Sequence, residues 1–363
     1  MSPTGRKAPA RVVVVEDSLV QRAKLVAVLE ADDDIRVVGE ATTALEAIAL
    51  VASLRPDVVT LDLNIPDGGG QYALEQIMAN TPTPILVLSS TVSDESSAPA
   101  VEALVGGALL AVPKPTQWTA EFESELRRSV RTIRHVPVIR HMRGRLGRLP
   151  MRPSRTSSQS RAPTSSGRVN RAESCLIAIA ASTGGPPALA TVLEGLASLQ
   201  APVLIVQHIH SDFVKGLVEW MARVSPLEVV LAVHGQALRS GCVHIAPGGT
   251  HLRMTREWKI DLVDTPAAVH RPSADQLFES VALHARERGV GVILTGMGDD
   301  GAAGLGAMHR NGALTIAQDQ ATSAVFGMPR AAQRLGIVDQ QLPLAGIAAA
   351  ILRGAQSRTP VPS

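Results

Sequence analysis

The chain has 363 residues, more than one hydrophobic core usually supports, so two domains of ordinary size are expected. With 45% hydrophobic and 19% charged residues the composition is that of a globular protein, and 2% aromatic residues leave the cores to aliphatic side chains. A formal net charge of +2 and so few rings for base stacking argue against a nucleic-acid-binding protein.

No segment predicts secretion or membrane insertion. Residues 1–10 are polar and basic, and the longest apolar stretch, residues 103–113, is well short of the roughly 20 residues that span a bilayer. Cys175 and Cys242 each lie in or beside an apolar run, which suits a reducing compartment. The sequence therefore predicts a soluble, cytoplasmic protein.

Residues 11–134 alternate between short β-branched runs and segments with a helical period. The predicted strands are 12–15, 35–38, 58–61, 85–88 and 109–112, and the predicted helices are 19–30, 44–54, 71–79, 96–105 and 120–134. Because these strands are almost continuously apolar, we expect an α/β domain with a parallel sheet covered on both faces.

Polar residues follow four of these strands. Glu16 and Asp17 end the first, Asp62 the third, Ser89 the fourth, and Lys114 follows the fifth. The carboxyl ends of parallel strands share one edge, where ligands bind. Three carboxylates there repel one another unless a hard cation such as Mg²⁺ is bound, and Asp62 could then accept a phosphoryl group. Any one of these residues alone would be interpreted as a helix cap.

With these residues in place, residues 11–134 resemble the receiver domain of response regulators, a five-stranded, flavodoxin-like fold. The resemblance implies that Asp62 is the phosphoacceptor, that Ser89 and Lys114 are the phospho-switch pair, and that a histidine kinase is the phosphodonor. It also implies a Mg²⁺ site formed by Asp17, Asp62 and the main-chain carbonyl of Asn64, with Glu16 acting through water. Ala111 stands where many receivers have an aromatic residue.

Residues 135–172 have a different composition. They are rich in Arg, Pro, Ser and Gly, with no acidic residue before Glu173. Such a segment buries too little apolar area to offset its ordering entropy, so the sequence predicts a flexible linker. Docking of this linker onto an acidic partner is the alternative.

From residue 173 the alternation of strands and helices resumes. The predicted strands are 176–180, 203–207, 229–233 and 290–295, and the predicted helices are 186–196, 213–224 and 274–288. Residues 241–247, 251–254 and 258–263 indicate a short antiparallel excursion. We expect a doubly wound α/β domain over residues 173–355 with a small antiparallel hairpin.

Three groups suited to nucleophilic catalysis follow strands of this second domain. Ser182 stands at a strand-to-helix turn, His208 closes the run 203–207, and Asp299 and Asp300 follow the strand 290–295. A serine nucleophile needs a base, and the base needs a carboxylate to fix its tautomer. Spacing leaves Asp299 and Asp300 both open, and Ser182 alone would be interpreted as a helix cap.

Two rival motifs overlap these residues. His208, His210 and Asp212 match the start of a binuclear metal-hydrolase motif, but Phe213 replaces the next histidine, so a metal site is disfavoured. Residues 296–301 have the spacing of a dinucleotide motif, yet two carboxylates stand where a pyrophosphate would bind, which is electrostatically unfavourable.

The blocks 181–186, 207–209, 245–252, 294–301 and 324–329 together resemble the catalytic domain of chemotaxis protein-glutamate methylesterases, over residues 174–352. The resemblance implies a triad of Ser182, His208 and Asp300, with Thr183 and the Met297 N–H in the oxyanion pocket. Family members often carry glycine where this chain has Ala180.

The two resemblances together imply a phosphorylation-regulated esterase. It would remove methyl groups from glutamate side chains on the cytoplasmic helices of chemoreceptors, release methanol, and deamidate receptor glutamines, with no cofactor for the esterase step. The alternative is an esterase or a non-catalytic binding module, controlled by the receiver, that acts on another methylated protein.

Overall fold

The computed structural model describes residues 8–89, 97–136, 138, 175–268 and 270–358, which form two compact units. The predicted linker, residues 135–172, lies outside these residues except for 135, 136 and 138. Among the described residues, no helix combines the length and the apolar character needed to cross a bilayer.

The first unit is a five-stranded parallel sheet with five helices, as the sequence predicts. Its strands are β1 (Ala10–Val15), β2 (Ile35–Ala41), β3 (Val58–Asp62), β4 (Ile85–Ser89) and β5 (Leu110–Pro113), in the order β2-β1-β3-β4-β5. Its helices are α1 (Leu19–Leu29), α2 (Ala44–Leu54), α3 (Gly69–Asn80), α4 (Ser97–Val105) and α5 (Ala120–Ile133).

Local sequence signals fix where three of these helices begin. Ser18, Thr43 and Thr119 each accept a hydrogen bond from the backbone N–H three residues later, at the starts of α1, α2 and α5. Side-chain oxygens at this position satisfy N–H groups that have no partner inside the helix. Because α1 begins at residue 19, the polar residues Glu16 and Asp17 stay in the loop at the edge of the sheet.

The second unit is built on a seven-stranded parallel sheet in the order β14-β13-β12-β6-β7-β9-β8. These strands are β6 (Leu176–Ala181), β7 (Val203–Gln207), β8 (Glu228–Leu231), β9 (Cys242–Ile245), β12 (Gly289–Ile293), β13 (Leu314–Gln318) and β14 (Gln340–Leu342). Strands β10 (His251–Met254) and β11 (Ile260–Val263) form a separate antiparallel hairpin.

In the part of this unit that the structure describes, six α-helices accompany the sheet. They are α6 (Gly185–Glu194), α7 (Ser211–Val224), α8 (Ala274–His284), α9 (Ala302–Arg310), α10 (Met328–Arg334) and α11 (Leu344–Arg358). The helices bury large side chains such as Phe213 and Phe278, and the central strands β6, β7 and β12 are buried along their whole length. Strands buried on both faces explain the unbroken apolar runs in the sequence.

The prediction that residues 241–247 belong to an antiparallel excursion is wrong. Strand β9 pairs in parallel with both β7 and β8, and all four of its residues are buried, including His244. The short connection between β8 and β9, residues 232–241, is typical of antiparallel neighbours, but burial on both faces placed β9 inside the sheet. Among the described strands, β10 and β11 are the pair that runs antiparallel.

Candidate functional site

The carboxyl edge of the first sheet brings a lysine against two buried carboxylates. Lys114 Nζ lies 2.7 Å from Asp62 Oδ2 and 2.6 Å from Glu16 Oε2. Its backbone N–H donates to the Ser89 carbonyl at 2.8 Å, and Ser89 is itself buried. The strand ends therefore bring together the residues that the sequence predicted to share this edge.

Burial and ion pairing oppose each other in this cluster. Burial disfavours the charged form of Lys114, but its bonds to Asp62 and Glu16 outweigh burial and raise the pKa of the ammonium group. Burial likewise raises the pKa of Glu16, against the lowering effect of Lys114. The Lys114 ammonium group therefore stays positively charged at this edge of the sheet, where it can bind an incoming anion.

A cluster of three carboxylates stands beside the lysine. Glu16, Asp17 and Asp62 each offer an oxygen within 4.8 Å of the others, with Asp17 exposed to solvent. The Asn64 N–H donates to Asp62 Oδ1 at 3.1 Å, which holds Asn64 close to the cluster. Carboxylate and carbonyl oxygens are the donors that Mg²⁺ prefers, so the donor set fits the metal that the sequence implied.

In the second unit, Ser182 and His208 follow neighbouring strands directly. Ala181 pairs with Gln207 at the last register of β6 and β7, so the next residue of each strand continues side by side at the carboxyl edge. The Gln207 Nε2 donates to the carbonyls of both Ser182 (2.8 Å) and His208 (2.9 Å). One amide side chain therefore ties together the two backbones that carry the hydroxyl and the imidazole.

His208 in turn meets Asp300. The His208 Nε2 lies 2.8 Å from Asp300 Oδ2, and both side chains are largely buried. Asp299, which spacing had left as an alternative, is exposed to solvent. The ring of His208 also stacks on that of His270, with centroids 4.4 Å apart.

The Ser182 hydroxyl makes no hydrogen bond to the His208 ring. Within the described ranges neither ring nitrogen of His208 has a hydrogen bond of regular geometry, although Nε2 lies at ion-pair distance from Asp300. Hydrogen bonds of this kind are often long or unformed without substrate. The two backbones are already fixed side by side at the strand ends.

The loop after β12 packs directly on the serine. The Ser182 N–H donates to the Thr295 carbonyl at 3.0 Å, and the Thr295 hydroxyl donates to the Thr183 carbonyl at 2.9 Å. A Cβ added at Gly296 would lie 2.8 Å from the Ser182 Cβ, a separation that real Cβ atoms do not show. Met297, the next residue, is half-buried at the same place.

Sequence reasoning missed several residues around this site. Gln207 and Thr295 lie beside the predicted residues, and the polar ends of otherwise apolar strands could have indicated them. Ser273 and Ala274 reach Asp300 only because helix α8 begins there, and no local pattern connects them to residue 300.

The metal-hydrolase reading finds no support in the placement of His210. This histidine is exposed, its Nδ1 accepts from the Asp212 N–H at 3.4 Å, and it serves as the N-cap of α7. Within the ranges that the structure describes, the acidic group of the first unit is the only cluster arranged to hold a metal ion.

The chain matches two family models, the CheB methylesterase at residues 177–351 and the response regulator receiver domain at residues 12–123. A relative from Anaeromyxobacter dehalogenans (strain 2CP-C), a protein-glutamate methylesterase/protein-glutamine glutaminase, is 43% identical over 95% of this chain and 96% of its own length. The chain belongs to the CheB methylesterase family. Both resemblances seen in the sequence are thereby confirmed.

Other relatives carry the same name. The protein-glutamate methylesterase/protein-glutamine glutaminase of Agrobacterium fabrum is 40% identical over 95% of this chain and 96% of its own length. Among solved structures, the Thermotoga maritima CheB methylesterase catalytic domain is 32% identical, with a TM-score of 0.48, and the match covers 50% of this chain and 98% of that one. The alternative, a receiver-controlled esterase or binding module that acts on another methylated protein, receives no support from these relatives.

Proposed function

We propose that this chain is a phosphorylation-controlled esterase that hydrolyses methyl esters on glutamate side chains of chemoreceptors and deamidates their glutamines. The observation that carries the proposal is the approach of His208 to Asp300 at 2.8 Å, beside a serine on the neighbouring strand end. The family name of the full-length relatives supports the choice of substrate.

The chemistry follows from the orientation of the imidazole. The His208 Nε2 lies 2.8 Å from Asp300 Oδ2. We assign the ring proton to Nε2, next to this carboxylate, so the lone pair of Nδ1 is the base that takes the Ser182 proton as Oγ attacks the ester carbonyl. The protonated ring then gives that proton to the departing methoxide, and methanol leaves. Water, deprotonated by the same ring, hydrolyses the acyl-enzyme and regenerates the serine. An amide substrate forms the same acyl-enzyme and releases ammonia.

The tetrahedral oxyanion needs donors that are in place before the reaction. We assign this role to the backbone N–H groups of Thr183 and Met297. Thr183 follows the serine at the entrance to α6, and Met297 follows Gly296, which packs against the Ser182 Cβ. The steps of the esterase reaction use only these protein groups and water.

The first unit supplies the control. We assign Asp62 as the phosphoacceptor, Lys114 and Ser89 as the residues that respond to the phosphoryl group, and a histidine kinase as the donor. Asp17, Asp62 and the Asn64 carbonyl would hold Mg²⁺, with Glu16 acting through water, and the ion would neutralise the carboxylates and polarise the phosphoryl oxygens. Lys114, held charged by its neighbours, pairs with the phosphoryl oxygens once Asp62 is modified.

Methanol release from methyl-labelled receptors tests the esterase. The full chain should release labelled methanol, and Ser182→Ala should lose activity by about 10⁴-fold or more while still binding the receptor. Undiminished release by Ser182→Ala would rule out the serine mechanism, and receptor binding without turnover by the natural chain would indicate a binding module.

The same assay with acetyl phosphate and Mg²⁺ tests the control. Release should rise for the natural chain and stay at the basal level for Asp62→Asn, which keeps the shape of the side chain but cannot form the acyl phosphate. Equal stimulation of both proteins would show that Asp62 is not the acceptor.

A further inference from the structure

The carboxylate of Asp300 is held from four directions. Its Oδ1 accepts from the Ser273 hydroxyl at 2.8 Å and from the Asp275 N–H at 3.2 Å. Its Oδ2 accepts from the Ala274 N–H at 2.7 Å and lies 2.8 Å from His208 Nε2. Three of these four contacts come from the first turn of α8, so Asp300 takes the place of the side chain that would ordinarily cap that helix.

The N-cap residue of α8 also indicates that Asp300 caps this helix. Ser273 is a residue type that normally accepts a hydrogen bond from its own helix, yet it makes no such cap bond. Its hydroxyl donates to Asp300 instead. The serine is therefore arranged to hold the carboxylate and not to terminate its own helix.

Helix α9 is also capped by a carboxylate from outside the helix, that of Asp275. Helix α9 has Gly301 at its N-cap, with φ of 92° and no side chain to offer. Asp275, from the first turn of α8, accepts a hydrogen bond from the Gly304 N–H at 2.7 Å through its Oδ1. Each helix thus begins at a carboxylate: α8 at Asp300, which lies in the loop before α9, and α9 at Asp275, which lies in α8.

This exchange demands a close crossing of the two helices. A Cβ added at Gly304 would lie 2.6 Å from the Asp275 carbonyl oxygen and 2.8 Å from the Phe278 Cβ. Only glycine permits that approach. The position of the loop 295–301, and so of Asp300, is therefore set by how α8 and α9 are fastened together.

We propose that Asp275 is a positioning residue for the esterase site, which fixes the entry of α9 on α8 so that Asp300 is directed at His208. Ser273 serves the same end by direct contact with Asp300. Neither side chain is placed to touch the ester, and both act through the carboxylate that orients the imidazole.

The electrostatics of the pair support a role beyond stability. Burial, together with the charge of Asp300, raises the pKa of Asp275 to about 6. Burial would also raise the pKa of Asp300, but His208, the Ala274 N–H and the Ser273 hydroxyl outweigh it and hold that pKa well below its usual range. Keeping two buried carboxylates so close opposes folding, and the arrangement makes sense where one of them must stay ionised beside a base.

The test compares Asp275→Ala with a matched control, Asp339→Ala, in the full chain. Asp339 is also a carboxylate that accepts from a backbone N–H and a hydroxyl, those of Thr315, at 2.8 and 2.9 Å. Thr315 is the second residue of β13, so this pair lies at the amino edge of the sheet, opposite the site. Asp275→Ala loses the bond from the Gly304 N–H, whereas Asp339→Ala loses two bonds and an ion pair with His309 at 3.3 Å. The control therefore removes more contacts, and only Asp275 adjoins Asp300.

We expect Asp275→Ala to lower kcat for methanol release by about 10- to 100-fold with KM within about twofold, since a small misplacement of a catalytic group has effects of this size. Asp339→Ala should keep the natural kcat at a temperature where both proteins are folded. Asp275→Asn, which retains an oxygen for the Gly304 N–H, should recover most of the lost kcat. A natural kcat in folded Asp275→Ala, or equal losses in both alanine variants, would overturn the inference.

This inference rests on the proposed function, so a second readout separates the two. Labelling of Ser182 by a fluorophosphonate depends on the activated serine and not on the receptor substrate. Slower labelling in Asp275→Ala than in Asp339→Ala supports the positioning role even if the natural chain proves inactive on methylated receptors. Equal labelling rates refute it even if methanol release by the natural chain upholds the proposed function.

Discussion

Acidification from pH 7 to pH 5 should destabilise the second unit through one buried imidazole. His244 lies in β9 with no exposed surface, and burial, reinforced by the positive charge of Arg239, lowers the pKa of its ring from 6.5 to about 4. In the unfolded chain His244 takes up a proton at its ordinary pKa of about 6.5, whereas in the folded protein it does so only at a lower pH. The contribution that the neutral His244 ring makes to stability is therefore fully present above pH 6.5 and is lost as the pH falls toward 4.

The size of the effect follows from these two pKa values. Linkage gives a loss of about 2 kcal/mol in the free energy of unfolding between pH 7 and pH 5, and about 3 kcal/mol in total below pH 4. For a domain of this size, about 2 kcal/mol lowers the melting temperature by about 4–8 °C.

Thermal melts at pH 7, 6 and 5 should be compared between the natural chain and His244→Leu, a substitution of similar volume. Protection of the β6 amides from hydrogen exchange identifies the melting of this unit. The stability difference in favour of His244→Leu should grow by about 2 kcal/mol between pH 7 and pH 5. In the control His234→Gln, where the imidazole is 67% exposed, no such growth is expected. A difference that stays constant with pH for His244→Leu would refute the reasoning.

Three further substitutions test the geometry. Gln207→Leu removes the hydrogen bonds to the Ser182 and His208 carbonyls. The esterase kcat, measured by methanol release, should fall by about tenfold or more, and thermal melts should show a lower melting temperature. Gly185→Ala should give a similar loss, because its Cβ would collide with the Gln207 Oε1; natural activity in a folded variant would contradict this. Lys114→Ala should abolish stimulation by acetyl phosphate and leave basal methanol release unchanged, and a normal stimulation would remove the lysine from the switch.

The first unit shows how much of a fold local patterns can predict. Its five strands and five helices were predicted within a few residues. Strands β1, β3 and β4 are short, almost completely buried apolar runs, and α1, α2 and α5 begin after residues that cap them. In the second unit, β13 and β14 were not anticipated. The run 314–318 carries buried polar residues at Thr315 and Gln318, and 340–342 is a three-residue edge strand. Their pairing depends on neighbours that sequence does not reveal.

The residues of the site also differ in how far the sequence alone predicts their positions. Ser182 and His208 could be placed together because strand ends of a parallel sheet share an edge, which is a rule of topology. The choice of Asp300 over Asp299 depends on which side chain faces the first turn of α8, and no spacing rule contains that information. Ser273 and Asp275 were missed for the same reason, since their roles arise from how two helices cross.

The hydrogen bond between Thr183 and Thr295 spans 112 residues of chain. At about 5–20 residues per second, a ribosome needs roughly 6 to 20 seconds to synthesise that interval. During this time the growing polypeptide already carries the serine but lacks the segment that bears residues 295–300. The proposed contact between Asp300 and His208 can therefore form only after residue 300 has been synthesised. We expect a product that stops before residue 295 to release no methanol from methylated receptors.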